Sequence, residues 1–553
     1  MYTLFWSALA GLAGLASAST YQNPILPGWH SDPSCVFVPE WDNTFFCTTS
    51  SFLAFPGLPI YASKDLIHWK HASNAYNRRA DIPGMLTSTG GQQQGPFAST
   101  LRMHEGEMYI VTAYIGDDNP PQYLLWTTTD PFSDDAWTGP VTIPNPSSAI
   151  DPDLFWDDDG SLYVASSGLY LQQVDLQTGN STPAASLWNG TGGRNIEGPH
   201  LYKKDGWYYL LAAEGGTETN HSVTMARASN VWGPYESAPG NPLLTNRGTD
   251  EYFQTVGHAD LFQDEVGNWW GVALATRSGP EWTIYPMGRE TVLFPVTWAQ
   301  GDFPIMEPVR GYMEGPLPRP DLHVPGDQWV DGPDENLPRG ETIPSHFVHW
   351  RPPPNRSEIY RVENGAFSLT SSRANLTADA SYKPTDGQTF TGRRQSHTNF
   401  VFSIDVEPVF SQMNQETGLS VFLTSYQHID LSVVALERST NSMNMQLRTE
   451  SLGQPAVNAT QPVTVPLPPD WQGKRITLRV EGDETSYHFY AALSSSPQRT
   501  QSLGTVSAEV VSGGTGPFTG TLLGAFATTN GGPSTFESRV SGWNYIPISQ
   551  RVE

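Results

Sequence analysis

Pairs of short apolar runs separated by tight turns recur along the chain, and four of these pairs share one spacing. In each, a turn glycine lies nine residues after the residue that precedes the first apolar run. These four residues are Phe97, Asp151, Glu197 and His258. Two apolar runs around a turn predict a β-hairpin. A fifth, longer hairpin without the glycine follows Asp32.

Five similar hairpins predict the blades of a five-bladed β-propeller. The residue before each first strand then occupies an equivalent place in every blade, at the mouth of the central channel. We therefore expect Asp32, Asp151, Glu197 and His258 to converge there as an acid/base site. This interpretation needs the hairpins to be arranged around one axis.

The remainder of the chain predicts a second β module. Residues 19–320 carry the propeller pattern, and residues 321–345 form a linker rich in proline and glycine. Residues 346–553 contain short alternating strands, which favour a β-sandwich packed on the propeller. The expected fold is all-β, and a sandwich loop such as Thr528–Ser534 is a candidate to close one side of the pocket.

The N-terminus and the charge limit the compartment and the partners. Residues 1–18 resemble a secretory signal peptide, with a membrane anchor as the alternative. Six Asn-x-Ser/Thr triplets are consistent with secretion, at Asn180, Asn189, Asn220, Asn355, Asn375 and Asn458. No other segment is expected to cross a membrane. A net charge of −26 argues against nucleic acid and fits a neutral ligand such as a sugar.

The chain has two cysteines, Cys35 and Cys47, one in each strand of the first hairpin. Their midpoint lies near the turn, so they can face each other across the ladder. A secreted protein permits a disulfide between them. Two buried free thiols are the alternative.

Three acidic residues at equivalent strand mouths supply what glycoside hydrolysis requires. That reaction uses two carboxyl groups, one as proton donor and the other as base or nucleophile. Asp32 and Asp151 each precede a proline, and an Asp-Pro pair alone often forms only a turn. Glu197 has more apolar neighbours, so we expect a raised pKa that keeps it protonated.

Two further residues have open roles. His258 is either a ligand for an ion or a bound water in the channel, or a core histidine bonded to the backbone. Arg289 is expected near the end of the fifth blade, where a guanidinium orients a carboxylate and binds sugar hydroxyls. Its alternative is a salt bridge with Glu290.

Several motifs follow one another in an order that resembles glycoside hydrolase family 43. The opening segment 23–34 contains Gly-Trp-His-Ser-Asp-Pro-Ser, and Ile-Asp-Pro follows at 150–152. Ile-Glu-Gly-Pro at 196–199, Gly-His-Ala-Asp at 257–260 and Gly-Arg-Glu-Thr at 288–291 complete the set. Arg-Arg-Gln at 393–395 is similar to the sandwich of the β-xylosidase/α-L-arabinofuranosidase branch. Together these motifs are specific, whereas each one alone is weak.

The resemblance implies an inverting glycosidase with a propeller and a concanavalin-like sandwich. By position, Asp32 is similar to the general base, Glu197 to the general acid and Asp151 to the residue that orients the acid. Phe52 and Arg289 match pocket residues. No cofactor is implied as required, and a structural Ca²⁺ or other ion near His258 stays open.

One departure affects the sugar preference. This chain has Phe97 where the branch often has Trp, and the run Gln92-Gln93-Gln94 precedes it. We expect substrate contacts from Phe97 and an altered pocket wall, at which the glutamine amides bind sugar hydroxyls. The alternative is that the glutamine run is a solvated loop outside the pocket. The predicted function is a secreted, exo-acting hydrolase releasing α-L-arabinofuranosyl or β-D-xylosyl ends from arabinoxylan or xylo-oligosaccharides. The alternative is a non-catalytic carbohydrate-binding propeller.

Overall fold

The structure, a computed structural model, describes residues 18–117, 120–377, 383–436, 443–454, 456–457 and 461–553. The first 17 residues of the proposed signal peptide and the triplet at Asn458 therefore lie outside the described residues. Within the described ranges, no helix is long and apolar enough to cross a membrane.

Five sheets form the five blades of a propeller, and their innermost strands are neighbours around one channel. From the channel outward, blades 1 and 2 contain Ser34–Val38, Thr44–Thr48, Gly57–Ser63 and Lys70–Tyr76, then Gly95–His104, Glu107–Ile115, Gln122–Thr128 and Thr138–Ile143. Blade 3 contains Asp153–Trp156, Leu162–Ser166, Tyr170–Asp175, Asn180–Ser181 and Ala185–Ser186. Blades 4 and 5 contain Glu197–Lys204, Trp207–Glu214, Ser222–Ala228 and Glu236–Ser237, then Phe253–Gln263, Trp269–Arg277, Arg289–Thr297 and Ile305–Met306.

The hairpin pattern in the sequence thus marks the two innermost strands of each blade. In blade 1, Cys35 lies opposite Cys47 in the ladder, and a disulfide joins them. The two chain ends of the propeller meet because Ser19–Gln22 pairs with Tyr312–Gly315. The described helices are single turns, Gly84–Thr87 and Arg356–Ile359 as α-helices. Short 3₁₀ turns occupy Pro39–Trp41, Arg79–Asp81, Asp134–Ala136, Pro384–Asp386, Pro469–Trp471 and Ala508–Val511.

Two antiparallel sheets form the C-terminal sandwich. One sheet contains Tyr360–Glu363, Ala366–Thr370, Glu537–Ser549, Asn399–Glu407, Ile476–Gly482, Ser486–Leu493 and Ser496–Ser507, and Asp334–Leu337 also pairs with Glu537–Ser549. The other contains Phe390–Arg394, Leu522–Thr528, Glu416–Thr424, Gln427–Ala435, Met443–Glu450 and Val463–Pro466.

Sequence alternation explains which side of a strand faces the sandwich core. In Asn399–Glu407 every second residue is buried, beginning with Phe400 and Phe402. Successive side chains of a strand point to opposite faces, so this alternation sends the apolar set into the core. Strand Glu416–Thr424 is buried throughout, because its second face is also covered.

The sandwich packs directly on the propeller. Trp29 and Phe55 of the propeller share one apolar cluster with Trp350 and Phe422 of the sandwich. The short strands His349–Trp350 and Ala54–Phe55 also pair across the boundary. These contacts fix the sandwich beside the channel mouth.

The sandwich segment at the mouth is residues 512–521, which corrects the expectation for Thr528–Ser534. Ser31 donates a hydrogen bond to the Phe518 carbonyl at 2.6 Å, and Thr521 N donates to Pro286 at 2.8 Å. In contrast, Asn530 of the expected loop binds Glu416 within the sandwich, at 2.7 Å. The loop at 528–534 therefore contacts the sandwich itself.

Candidate active site

The backbone at the channel mouth is unusual in the same way in every blade. Asp32, Asp151 and His258 have φ values of 52°, 56° and 49°. In blades 2 and 4 the next residue takes this conformation, with Ala98 at 42° and Gly198 at 54°. Left-handed φ is unfavourable for residues with a side chain and clusters at functional sites. The shared backbone turn aims one side chain per blade at the mouth.

Asp32 is buried and held by three neighbours. Ser50 Oγ donates to Asp32 Oδ2 at 2.6 Å. On the other oxygen, Arg289 Nη1 lies 3.5 Å away and His258 Nδ1 lies 3.7 Å away. Ser50 Oγ also accepts the backbone N–H of Ala98 at 2.7 Å. Asp32 is thus fixed in place while one oxygen has only longer contacts.

Asp151, which is buried, and Glu197, which is half-buried, form a pair of acids. Burial, and then the negative charge of Asp151, raise the pKa of Glu197 to about 7. Burial likewise raises the pKa of Asp151, but the Gly198 N–H donates to Asp151 Oδ2 at 2.9 Å and opposes that effect. A hydrogen bond to the charged form favours ionisation. We therefore assign the proton of the pair to Glu197 and the charge to Asp151.

Three aromatic rings from two domains border this acidic cluster. Phe52 and Phe97 meet edge to face, with ring centroids 4.6 Å apart. Phe518 of the sandwich stacks near Phe52 at 5.9 Å, and the Arg289 guanidinium lies 4.4 Å from the Phe518 ring centroid. At Gly288, which has φ +63°, an added Cβ would lie 2.0 Å from the Thr519 carbonyl oxygen. This contact requires glycine and keeps the sandwich segment close.

Arg289 faces the cluster. Its Nη2 donates to Thr217 and its Nη1 approaches Asp32. The alternative partner Glu290 instead forms an ion pair with Arg277 at 2.6 Å. Arg289 is therefore available at the mouth as a cation beside Asp32.

A second layer of polar residues lies deeper in the channel, on the same strands. We call Asp32, Asp151, Glu197 and His258 the upper tier, and Ser34, Arg102, Asp153, His200 and Asp260 the lower tier. In the lower tier, Arg102 forms ion pairs with Asp153 at 2.7 Å and with Asp260 at 2.8 Å.

Further hydrogen bonds connect the residues of the lower tier. Arg102 donates to His200 Nδ1 at 2.9 Å, and Ser34 donates to Asp260 at 2.6 Å. The positive charge of Arg102 overcomes burial and holds the pKa of Asp260 well below its usual range. Asp153 also accepts the Leu201 N–H at 3.0 Å. This tier is a layer of mutually bonded polar side chains beneath the acids.

Two profiles of known protein families match this chain. The sequence profile of Glycosyl hydrolases family 43 matches residues 21–304, more than half of the chain. The chain belongs to glycoside hydrolase family 43. A second profile, of the β-xylosidase C-terminal concanavalin A-like domain, matches residues 340–545. The predicted family, the five-bladed propeller and the concanavalin-like sandwich are confirmed.

Individual members of family 43 align over almost the full length. A non-reducing end α-L-arabinofuranosidase of Bacteroides ovatus, BoGH43B, is 34% identical over 540 residues, covering 96% of this chain and 94% of that protein. A xylosidase/arabinosidase 43B of Humicola insolens is 29% identical over 569 residues, covering 95% and 98%. The solved structure of Bacteroides ovatus xyloglucan PUL GH43B matches with a TM-score of 0.82 and 30% identity, covering 96% and 100%. The protein is accordingly a glycosidase rather than a non-catalytic propeller.

His258 sits in this family 43 site as a buried neighbour of Asp32. Burial lowers its pKa despite the nearby negative charge of Asp32. Its ring also packs on Gly198, where an added Cβ would lie 3.1 Å away. No group of three or more His, Cys, Asp or Glu side chains in the described part of the chain is arranged to hold a metal. The role of His258 as an ion ligand stays a prediction.

Four residues around the site were not predicted from sequence: Ser50, Arg102, Thr217 and Phe518. Ser50 follows the first hairpin and Thr217 follows the Glu-Gly-Gly of blade 4. Both lie at strand exits on the mouth side, so a search of every exit loop for hydroxyls would have suggested them. Arg102 and Phe518 carried no comparable signal.

The glutamine run does not form the expected wall of amides. Gln92 Oε1 accepts the backbone N–H of Ser425 at 2.9 Å, which ties blade 2 to the sandwich. Gln94 donates to Asp117 at 2.8 Å. These two amides are engaged in contacts within the protein, whereas Phe97 lies beside Phe52. Substrate contact by Phe97 stays a prediction.

Proposed function

We propose that this family 43 enzyme is an inverting, exo-acting hydrolase of α-L-arabinofuranosyl and β-D-xylosyl ends, with arabinoxylan or xylo-oligosaccharides as substrates. Asp32 is the general base, Glu197 the general acid and Asp151 the group that orients and tunes the acid. The observation that supports this most directly is the placement of three carboxyl groups at one mouth, where Ser50 holds Asp32 and the Gly198 N–H holds Asp151 beside Glu197.

The chemistry is a single displacement. Asp32 removes a proton from a water molecule as the water oxygen bonds to the anomeric carbon. The bond from that carbon to the glycosidic oxygen breaks, and the Glu197 proton passes to that oxygen. The products are a free sugar of inverted configuration and an alcohol, and solvent then returns the proton from Asp32 to Glu197. Such a geometry needs carboxyl groups about 6.5–9.5 Å apart, to admit the water.

Arg289 and the aromatic rings account for substrate contact in this proposal. Phe52, Phe97 and Phe518 provide apolar faces for a sugar ring, and Arg289 donates hydrogen bonds to its hydroxyls. Phe52 and Phe97 of the propeller and Phe518 of the sandwich border the mouth, and a mouth enclosed by both domains favours action at chain ends. The B. ovatus relative is named a non-reducing end α-L-arabinofuranosidase, and the H. insolens relative a xylosidase/arabinosidase. Their names support both sugars as substrates.

A release assay tests the function. Wild-type enzyme should hydrolyse 4-nitrophenyl α-L-arabinofuranoside and β-D-xyloside, and should release monosaccharide alone from arabinoxylan. Proton NMR of the first product should show the anomer opposite to that of the substrate. Asp32→Asn should abolish turnover with no change in melting temperature. A retained first anomer would refute inversion, and oligosaccharide products would refute exo action.

We also propose that the protein is secreted. Asn180, Asn189, Asn220 and Asn355 of the glycosylation triplets are exposed, which is the access that glycan transfer needs. N-terminal sequencing of protein from the culture medium should begin near Ser19, and glycosidase treatment should lower its mass. Retention of residues 1–18 would contradict the proposal.

A structural ion such as Ca²⁺ near His258 remains a separate proposal, and no cofactor is expected to take part in the chemistry. Asp32 is the acidic neighbour within 4 Å of His258 among the described residues. Dialysis against a chelator, followed by a melting curve with and without Ca²⁺, tests it. An unchanged melting temperature would contradict an ion at this place.

A further inference from the structure

A small cavity lies where blade 1, the segment before the sandwich and the six-stranded sheet meet. Its volume is about 30 Å³, and His30, Tyr61, His71, Trp329, His346 and Arg394 are among its lining residues. About 10–15 Å³ on this measure holds one water molecule. The cavity therefore has room for one small ion or a water, but not for a sugar.

Arg394 is the unusual member of this lining. It is 9% exposed, its Nε has no hydrogen-bond partner, and it forms no ion pair with any described residue. Among the described residues, its guanidinium contacts the Trp29 ring, whose centroid is 5.1 Å from the guanidinium carbon. A buried charge is costly unless it is paired. The guanidinium, which stays protonated in proteins, therefore needs a negative partner.

The neighbouring Arg393 is also buried, but its positive charge is paired with an acid. Arg393 lies 3.2 Å from Asp334 and donates to the Gly332 carbonyl at 3.0 Å. Asp334 Oδ1 also accepts a hydrogen bond from His346 Nε2 at 3.2 Å. Asp334 thus already has three partners, Arg393, His346 and Trp543, whereas Arg394 forms no ion pair with a described residue.

The other lining groups suit a negative ligand. Burial and then Arg394 lower the pKa of His30, and burial lowers the pKa of His71 to about 4, so both are neutral. Burial raises the pKa of Tyr61, which keeps its hydroxyl protonated. His346 Nδ1 is buried without a hydrogen-bond partner. No acidic side chain is among the lining residues.

We propose that this interdomain cavity binds one small monovalent anion of the halide class, such as chloride, against the Arg394 guanidinium. The ion would supply the negative charge that the described residues do not, and would join blade 1 to the sandwich. Its site is distinct from the channel mouth, so the proposal is independent of the reaction.

Melting curves test the proposal in solution. Wild-type protein should melt about 1–3 °C higher in sodium chloride or bromide than in sodium gluconate of equal ionic strength, because a ligand stabilises the state that binds it. Arg394→Met should lose this difference. Arg339→Met, which removes a charge with 62% side-chain exposure, should keep it. Equal responses in the Arg394 and Arg339 variants would overturn the proposal.

Crystals of the wild type grown in bromide provide a test that no variant can confound. An anomalous peak should lie within about 3.5 Å of an Arg394 nitrogen, a typical charge-assisted contact. A water molecule at that position, without anomalous signal in saturating bromide, would overturn the proposal.

Discussion

Each upper-tier residue lies two or three positions before a lower-tier residue in the chain, yet the acids of the two tiers behave in opposite ways. In the upper tier, burial and mutual repulsion raise the pKa of Glu197 to about 7. In the lower tier, Arg102 holds the pKa of Asp260 low in spite of complete burial. Both tiers contain buried carboxyl groups. What separates a proton donor from a structural anion is whether a cation is bonded to it.

The position of Arg102 in the lower tier leaves Glu197 without a bonded cation among the described residues. A carboxyl group that is to donate a proton near neutral pH needs a raised pKa. Had Arg102 been placed beside Glu197, that pKa would be low and no proton would be available. The lower tier keeps Arg102 paired with Asp153 and Asp260, and leaves Glu197 at the mouth in an environment that favours protonation.

Removing the acid of the upper tier should have the largest effect. Glu197→Gln should lower kcat/KM by roughly 10²–10⁴-fold on substrates with poor leaving groups, because a positioned acid contributes that much. A 4-nitrophenyl glycoside should lose far less rate, since its leaving group needs little protonation. Glu236→Gln, an exposed change in the same blade, is the control. Equal losses on good and poor leaving groups would rule out the acid role.

Breaking the lower tier should cost stability. Arg102→Met leaves Asp153 and Asp260 buried without their cation, which should lower the free energy of unfolding by about 3–5 kcal/mol. The urea midpoint measures the loss. Arg339→Met is the matched control, with an expected change within about 0.5 kcal/mol for a surface site.

A triple variant sharpens the same comparison. Adding Asp153→Asn and Asp260→Asn to Arg102→Met removes the uncompensated charges, so much of the lost stability should return. An Arg102→Met protein as stable as the wild type would show that the lower tier is not held by charge pairing.

The raised pKa of Glu197 should also appear as a stability difference that depends on pH. The folded-state pKa of about 7 exceeds the ordinary value of 4.5, so the folded state binds this proton more tightly than the unfolded state. Stability is then lost as pH rises from 4.5 through 7. Glu197→Gln, which stays neutral, should be more stable than the wild type at pH 8 by roughly 1–3 kcal/mol. Near pH 4 the two should be equal.

The pH profile of activity gives a second measure of that pKa. The wild-type kcat/KM should fall as pH rises through about 7. Asp151→Asn removes a negative neighbour of Glu197, so the fall should move to lower pH in addition to any loss of rate. A stability difference that is the same at pH 4 and pH 8, with an unmoved profile, would contradict the upper-tier assignment.

Much of the fold and the mouth of the site could be predicted because they depend on local, repeated patterns. Hairpin turns and alternation mark the inner strands, and a fixed offset marks one residue per blade. Arg102 could not be predicted in this way, because the strand register shifts between Phe97 and Thr100. Counting residues from Phe97 therefore does not give the side chain that faces the channel. Ser34, Asp153 and Asp260 lie two residues after an upper-tier residue, but nothing local distinguishes their role.

Contacts between distant segments set the other limit. Phe518 lies more than four hundred residues after Phe52 in the chain, yet their rings stack at 5.9 Å. Its place depends on how the sandwich docks, which involves Trp29, Trp350 and a glycine contact at Gly288. The sequence patterns around Phe52 and around Phe518 do not predict how the sandwich docks on the propeller.

The smallest expected effect concerns the sugar preference set by the wall at Phe97. A furanose with an exocyclic hydroxymethyl group needs more space than a xylopyranose, so the wild type should release arabinofuranose at least as well as xylose. Phe97→Trp narrows the wall beside Phe52 and should shift the kcat/KM ratio toward xylosides by up to about tenfold, the usual discrimination of a pocket by bulk. Phe303→Trp, a partly buried aromatic change in blade 5 away from the mouth, should leave the ratio unchanged. If xylosides win by more than about tenfold in the wild type and Phe97→Trp changes nothing, the wall at Phe97 does not select the sugar.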